Sequence, residues 1–235
     1  MDGSMAKKSP RPSRKPGETH DPDDAFLARA LEFTAWARER TQLLVAAGIL
    51  LVLLAGGIVY YVNLQMQQAR EAEQELEQLQ QVILMSGPEE GKEQLRGFLD
   101  RFGGTRFAYE GRLTLAELHL QDDEVDEAIQ VLEPVRGSLG EPVAIQGAFL
   151  LALAYEEQDR WGEAADLYLE LADQVELSFQ RKEALEGAAR VSAEAENVEQ
   201  ALELYDRLLS ELDADDPRRG RFEMRMAELE AQLQG

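Results

Sequence analysis

The chain has 235 residues, 44% of them hydrophobic, with 24 Lys and Arg against 46 Asp and Glu and a formal net charge of −22. So acidic a surface repels nucleic acid and excludes roles that track phosphate backbones. The absence of cysteine removes disulfides, thiol catalysis and a lipidated N-terminal cysteine.

Residues 1–22 are rich in Pro, Ser, Lys and Arg and poor in apolar residues, which predicts a disordered basic tail. Residues 23–41 read as an amphipathic helix. Asp21, Asp23 or Asp24 can cap it, and Phe26, Ala30, Phe33 and Ala37 share one face, with Trp36 at its edge. Placed just before an apolar run, such a helix is expected to lie in a membrane interface.

Residues 42–63 form a predicted transmembrane helix. Leu43 to Val62 reads LLVAAGILLVLLAGGIVYYV, without charge, proline or amide, and a helix needs about 20 such residues to cross the hydrocarbon core. A soluble core helix would be shorter and carry polar residues. A cleaved signal would have a shorter apolar core near the N-terminus and end at a small-x-small site. Arg29, Arg38 and Arg40 lie close on the N-terminal side against Arg70 alone on the other, and Lys7, Lys8, Arg11, Arg14 and Lys15 add to the excess. The positive-inside rule then predicts a cytoplasmic N-terminus and a C-terminal domain on the far side, the periplasm in a Gram-negative cell.

Residues 1–62 hold eight of the 24 basic and seven of the 46 acidic residues, so the remainder carries 16 against 39, a net of −23. The helix is expected to continue past the span through Ala69, Ala72, Leu76, Leu79 and Ile83 and to stop at Ser86-Gly87-Pro88. Residues 64–235 then read as one repeat domain. Ala148-x2-Leu151-Ala152-x2-Tyr155 leads to Ala164-x3-Tyr168. Arg112-x2-Leu115-Ala116-x2-His119 leads to Ala128-x3-Leu132, and Leu185-x2-Ala188-Ala189-x2-Ser192 leads to Ala201-x3-Tyr205.

This is the spacing of tetratricopeptide repeats, helix-turn-helix units whose small residues let two helices approach closely. In all three the small residue of the first helix stands twelve before the Ala of the second. The repeat steps of 36 and 37 residues place short insertions near Gly137-Ser138-Leu139-Gly140 and Leu177-Ser178. Gln94-Leu95 and Phe98-Leu99 fit the second helix of a degenerate first repeat. Phe222, Met226, Leu229 and Leu233 mark a last amphipathic helix that can cap the stack. The expected fold class is all-α, a single transmembrane helix followed by a tetratricopeptide-repeat-like α-solenoid.

Catalytic chemistry is missing from the sequence. His20 lies in the basic tail, and His119 takes the place of an aromatic core residue, so a packed imidazole is expected there rather than a ligand. There is no nucleophile motif, phosphate loop or zinc-protease signature. No enzyme, metal or cofactor is expected. Binding remains. The concave face of the stack should present Glu110, Leu113, Glu117 and Leu120, then Phe149, Leu153, Glu156 and Glu157, then Glu186 and Arg190. Apolar residues inside an acidic rim suit an extended, unfolded or basic-apolar segment, although Leu113, Phe149 and Leu153 could instead pack on neighbouring helices.

The layout of a short helix with Phe33 and Trp36, one anchor, a long exit helix and degenerate repeats in an acidic domain resembles the YfgM-like ancillary subunits of the SecYEG translocon. That resemblance implies a single-pass inner-membrane protein whose periplasmic repeats work beside the translocon. It further implies a membrane-anchored periplasmic prolyl isomerase as partner and unfolded exported proteins as clients. A repeat scaffold for another envelope assembly or stress-signalling complex is the alternative reading.

Overall fold

The computed structural model describes residues 40–234, apart from the side chain of Leu44; the tail at 1–22 and all but the end of the helix expected at 23–41 lie outside the described residues. Two units are distinguished, Met1–Tyr61 and Val62–Gly235. Among the described residues the regular structure is entirely helical. Helix α1 spans Thr41–Ser86, α2 Pro88–Phe102, α3 Phe107–Gln121 and α4 Val125–Leu132, the last prolonged by a 3-10 turn over Glu133–Ser138. Helices α5 (Pro142–Glu157), α6 (Trp161–Gln174), α7 (Ser178–Glu194), α8 (Val198–Glu211) and α9 (Arg219–Gln234) follow.

In the first unit, α1 carries its apolar residues outward. Leu51, Val52 and Leu53 are 68%, 70% and 67% exposed, so they are left uncovered among the described residues. This helix is long and apolar enough to cross a membrane.

In the second unit, the later turns of α1 become amphipathic. Ala72, Leu76 and Leu79 are buried with Leu95, Phe98 and Phe102 of α2 and Leu115 and Leu118 of α3. The seven-residue recurrence of 72, 76 and 79 puts all three on one helical stripe. Gly87 ends α1 at φ 92, a left-handed conformation open to glycine at little cost, and Pro88 starts α2 where its missing N–H is not needed.

From α3 onward each helix packs on the next, α3 on α4, α5 on α6, α7 on α8, and each pair on its successor. The small residues named by the motif sit at the crossings. Ala116, Ala128, Ala152, Ala164, Ala189 and Ala201 are fully buried. Around them Leu115, Leu132, Leu151, Leu167, Leu171, Leu185 and Leu208 fill the grooves, each adding about 1.5–3 kcal/mol by leaving water. The insertion near Gly137 is the 3-10 turn, which buries Val135 in the same core, with Leu139 just beyond it buried there too. Helix α9 closes the stack with Phe222 and Leu229 buried, Phe222 lying 5.9 Å from the Tyr205 ring. Met226 is half-buried there and Leu233 half-exposed.

The three intra-repeat turns have one backbone solution. Asp123, Asp159 and Glu196 adopt φ of 61, 53 and 60. The next N–H reaches back five residues each time, Glu124 to His119 O at 2.9 Å, Arg160 to Tyr155 O at 2.8 Å and Asn197 to Ser192 O at 2.8 Å. This six-to-one closure satisfies a helix-end carbonyl and aims the second helix back along the first.

A buried polar cluster joins α2 to the first of these turns. Lys92 is only 2% exposed, and Nζ contacts Asp122 at 2.7 Å, Glu89 at 2.7 Å and Glu124 at 2.9 Å. A buried ammonium is tolerated only when paired in this way, and the same carboxylates, Asp122 foremost, hold its pKa well above the ordinary lysine value. Glu124 also lies 2.6 Å from His119 Nδ1, while Arg96 Nη2 lies 3.2 Å from His119 Nε2. Arginine can only donate, so Nε2 accepts and Nδ1 carries the proton given to Glu124. The packed imidazole expected from the motif is therefore also a hydrogen-bonded bridge.

Candidate functional site

First helices α3, α5 and α7 carry the residues expected to face a partner, and none of those residues is buried. The helical spacing of three and four keeps Glu110, Leu113, Glu117 and Leu120 on one stripe of α3, opposite the buried Ala108 and Leu115. Glu117 is exposed, whereas Glu110, Leu113 and Leu120 are half-buried. Glu110 accepts a hydrogen bond from Gln80 Nε2 at 3.3 Å, so the end of α1 borders this stripe.

On α5, Leu153 is 51% exposed beside the exposed Glu157. Phe149 is half-buried and stands 6.2 Å from the Tyr168 ring of α6. Tyr168 donates its hydroxyl to Glu156 Oε1 at 2.7 Å, and Arg190 of α7 clamps Glu156 through both terminal nitrogens, Nη2 at 3.0 Å from Oε1. Burial, and secondarily the Glu156 carboxylate, push the Tyr168 phenol above its usual range, while Glu156 raises the pKa of Arg190. Glu186 of α7 is in turn held by Arg221 of α9 at 2.7 Å.

The fold thus joins Phe149, Glu156 and Arg190 into one network through Tyr168. Glu186 belongs to the next rung. The α3 group makes no side-chain hydrogen bond to that network. Two residues escaped the sequence reading, Tyr168 as a motif core position and Arg221 as part of the cap. A signal for Arg221 was present, because opposite charges recur one repeat apart. Arg136–Glu170, Glu156–Arg190, Asp173–Arg207 and Glu186–Arg221 are separated by 34, 34, 34 and 35 residues. They form two ladders, one along first helices and one along second helices.

The consequence for binding is electrostatic. Arg190, the single cation expected on this face, is committed to Glu156. Glu117 and Glu157 make no ion pair among the described residues, and Glu157 puts negative charge one helical turn from exposed Leu153. Such a surface can take up apolar side chains in an extended segment and favours basic flanks.

A model of a tetratricopeptide repeat-like domain matches residues 34–142, and one of a tetratricopeptide repeat matches residues 148–182. No curated protein matches the chain. Among solved structures it is similar to the nearly identical TPR-like repeats of a kinesin light chain from Podosopora anserina, with 20% identity and a TM-score of 0.52. The match covers 71% of this chain and 89% of that one. A variant of the same repeats gives 20% identity and a TM-score of 0.52, covering 71% of this chain and 88% of that one. At this identity the likeness concerns the fold. Repeats of this type are interaction scaffolds for proteins and typically carry no catalysis. The all-α stack that follows the apolar helix is a tetratricopeptide-repeat-like solenoid, a fold that indicates a protein-protein interaction scaffold.

Proposed function

We propose that this chain is a non-enzymatic accessory of the SecYEG translocon, anchored in the inner membrane by residues 42–63 with its N-terminus in the cytoplasm. Its repeats, residues 64–235, then work in the periplasm beside a membrane-anchored prolyl isomerase and receive newly exported, unfolded chains. The observation that carries this reading is the joining of an outward-facing apolar helix to a repeat stack in one polypeptide. Leu51, Val52 and Leu53 stand about two-thirds exposed and ask for a hydrocarbon environment. The first-helix face offers Leu153 and Phe149 beside Glu117 and Glu157, a surface suited to apolar segments with basic flanks and ill suited to nucleic acid.

The test is a tagged purification from gently solubilised membranes with partners identified by mass spectrometry. A parallel chain would carry an unrelated span in place of Leu43–Val62. Translocon subunits recovered with the native span and lost with the exchanged one support the proposal. Their absence from both overturns it and leaves a repeat scaffold for another envelope complex.

A further inference from the structure

The two insertions between repeats end differently. The one before α5 buries Val135 and Leu139 in the core. The one before α7 buries Val175 but leaves Leu177 and Phe179 outside, 53% and 62% exposed. Beyond α1, the exposed large apolar side chains among the described residues are Leu153, Leu177, Phe179, Met224 and Leu233. Of these, Leu177 and Phe179 alone share one short segment. Leu177 is the extended residue that precedes α7, and Phe179 lies in the opening turn of that helix.

The segment is tied to the fold by its backbone. Val175 N–H donates to Leu171 O at 3.0 Å, and Arg181 N–H to Leu177 O at 3.1 Å. Arg181 Nη2 adds a bond to Val175 O at 3.3 Å. The apolar pair is therefore presented on a defined corner between α6 and α7.

Uncommitted positive charge stands beside it. Arg181 and Lys182 are half-buried, and Lys182 is one helical turn from Phe179. Neither forms an ion pair among the described residues. Asp216 is the carboxylate that senses Lys182, but Arg218 already holds it, Nε at 3.0 Å from Oδ1 and Nη2 at 2.8 Å from Oδ2. Arg218 foremost, and Lys182 through space, keep that carboxyl below its usual range. Glu176 and Glu183 bound the segment, and the six residues between them hold no acid.

These features select a lipid surface as the occupant. An aromatic and an aliphatic side chain enter a bilayer interface, while Arg and Lys lay their stems along it and keep their charges at the phosphates. At 0.1 M salt, charges more than about 10 Å away are screened, so most of the net charge of −22 does not oppose the contact. Glu176 and Glu183 offset the two cations in number, which leaves Leu177 and Phe179 to carry the contact and Arg181 and Lys182 to orient it. A second copy fits less well, because its uncommitted cations would meet their own likeness.

We propose that Leu177 and Phe179 dock the repeat domain on a lipid bilayer, their side chains in the interface and Arg181 and Lys182 on the phosphates of anionic headgroups. This rests on the membrane anchor proposed above, which keeps the chain at a bilayer.

The chain has no cysteine, so single cysteines can carry a nitrobenzoxadiazole label in the full protein, reconstituted in vesicles of equal parts phosphatidylcholine and phosphatidylglycerol. The labelled variants are Ser178→Cys between the apolar pair, Gln158→Cys at the other end of α6, and Val52→Cys in the span. Ser178 and Gln158 are both exposed and lie about 20 Å apart along the helix. Doxyl lipids should quench the label at 178 about twofold more than the label at 158. Leu177→Ser with Phe179→Ser should bring position 178 down to the level of 158. Both side chains are exposed, so the helical melt of that variant should stay level. Arg181→Gln with Lys182→Gln, or vesicles without phosphatidylglycerol, should lower the quenching at 178 by about a third. Quenching at 52 with no excess at 178 overturns this contact and spares the anchor, whereas quenching at neither overturns both. Excess quenching at 178 that survives the serine substitutions, or that ignores both the cations and the anionic lipid, overturns the assignment to these residues.

Discussion

At the scale of single residues, the repeat turns concentrate strain where the motif says nothing about backbone. Glu196 sits at φ 60, a conformation that costs a residue with a Cβ about 1–2 kcal/mol. Glu196→Gly should therefore stabilise the fold by about 0.5–1 kcal/mol, read as a shift in denaturant midpoint. Gly187 is the opposite case. A Cβ there would stand 2.7–2.8 Å from the Tyr168 ring, so Gly187→Ala must push the ring off Glu156. A loss of about 1–3 kcal/mol is expected, with the drop in Tm as the measurement. Tyr155 gives a signal in pH. Burial, and then the Glu133 carboxylate to which its hydroxyl donates, push its phenol up to about 12 from the ordinary 10.0. Because the folded pKa is raised, this contribution to stability is complete below pH 10.0 and is lost as pH rises towards about 12. Tyrosinate absorbance should lose one late-titrating phenol in Tyr155→Phe, while the Tyr168 phenol, also raised by burial, still titrates late.

At the scale of elements, the motif made much of the fold legible. The twelve-residue offset between small residues depends on helix crossing, and buried Ala116–Ala128, Ala152–Ala164 and Ala189–Ala201 stand at those crossings. Less legible was what happens between elements. Nothing in the pattern announces that Lys92 of α2 should be buried against Asp122 and Glu124 of the next turn, since a lysine in PEEGKEQL reads as a solvated helix charge. The candidate face shows the same divide. Helical periodicity alone put Leu153 and Glu157 at the surface. Tertiary packing then decided that Arg190 is taken up by Glu156 and Tyr168. The Lys92 cluster has an acid signature. Lys92 foremost, then His119, lowers the Glu124 pKa from 4.5. With the folded pKa depressed, the stabilisation is present above pH 4.5 and is lost as pH falls below it. Replacing Lys92 with Met should flatten the fall in Tm below that pH, as followed by circular dichroism.

At the scale of the molecule, an apolar helix and an acidic repeat stack share one chain, and each lacks what the other provides. Tyr205 and Leu208 of α8 remain covered because α9 supplies an apolar face at the end of the stack. Removing residues 219–235 should make the domain aggregate, seen as loss of the monomeric peak in light scattering. The central claim is that the first-helix face receives exported chains, and photo-crosslinking in cells tests it most directly. A photoreactive residue would replace exposed Leu153 on α5 and, separately, exposed Asp166 on α6. The account predicts adducts with unfolded exported proteins from position 153 and few from position 166. Equal labelling at the two positions, or none at 153 while the protein is present at its normal level, would contradict it.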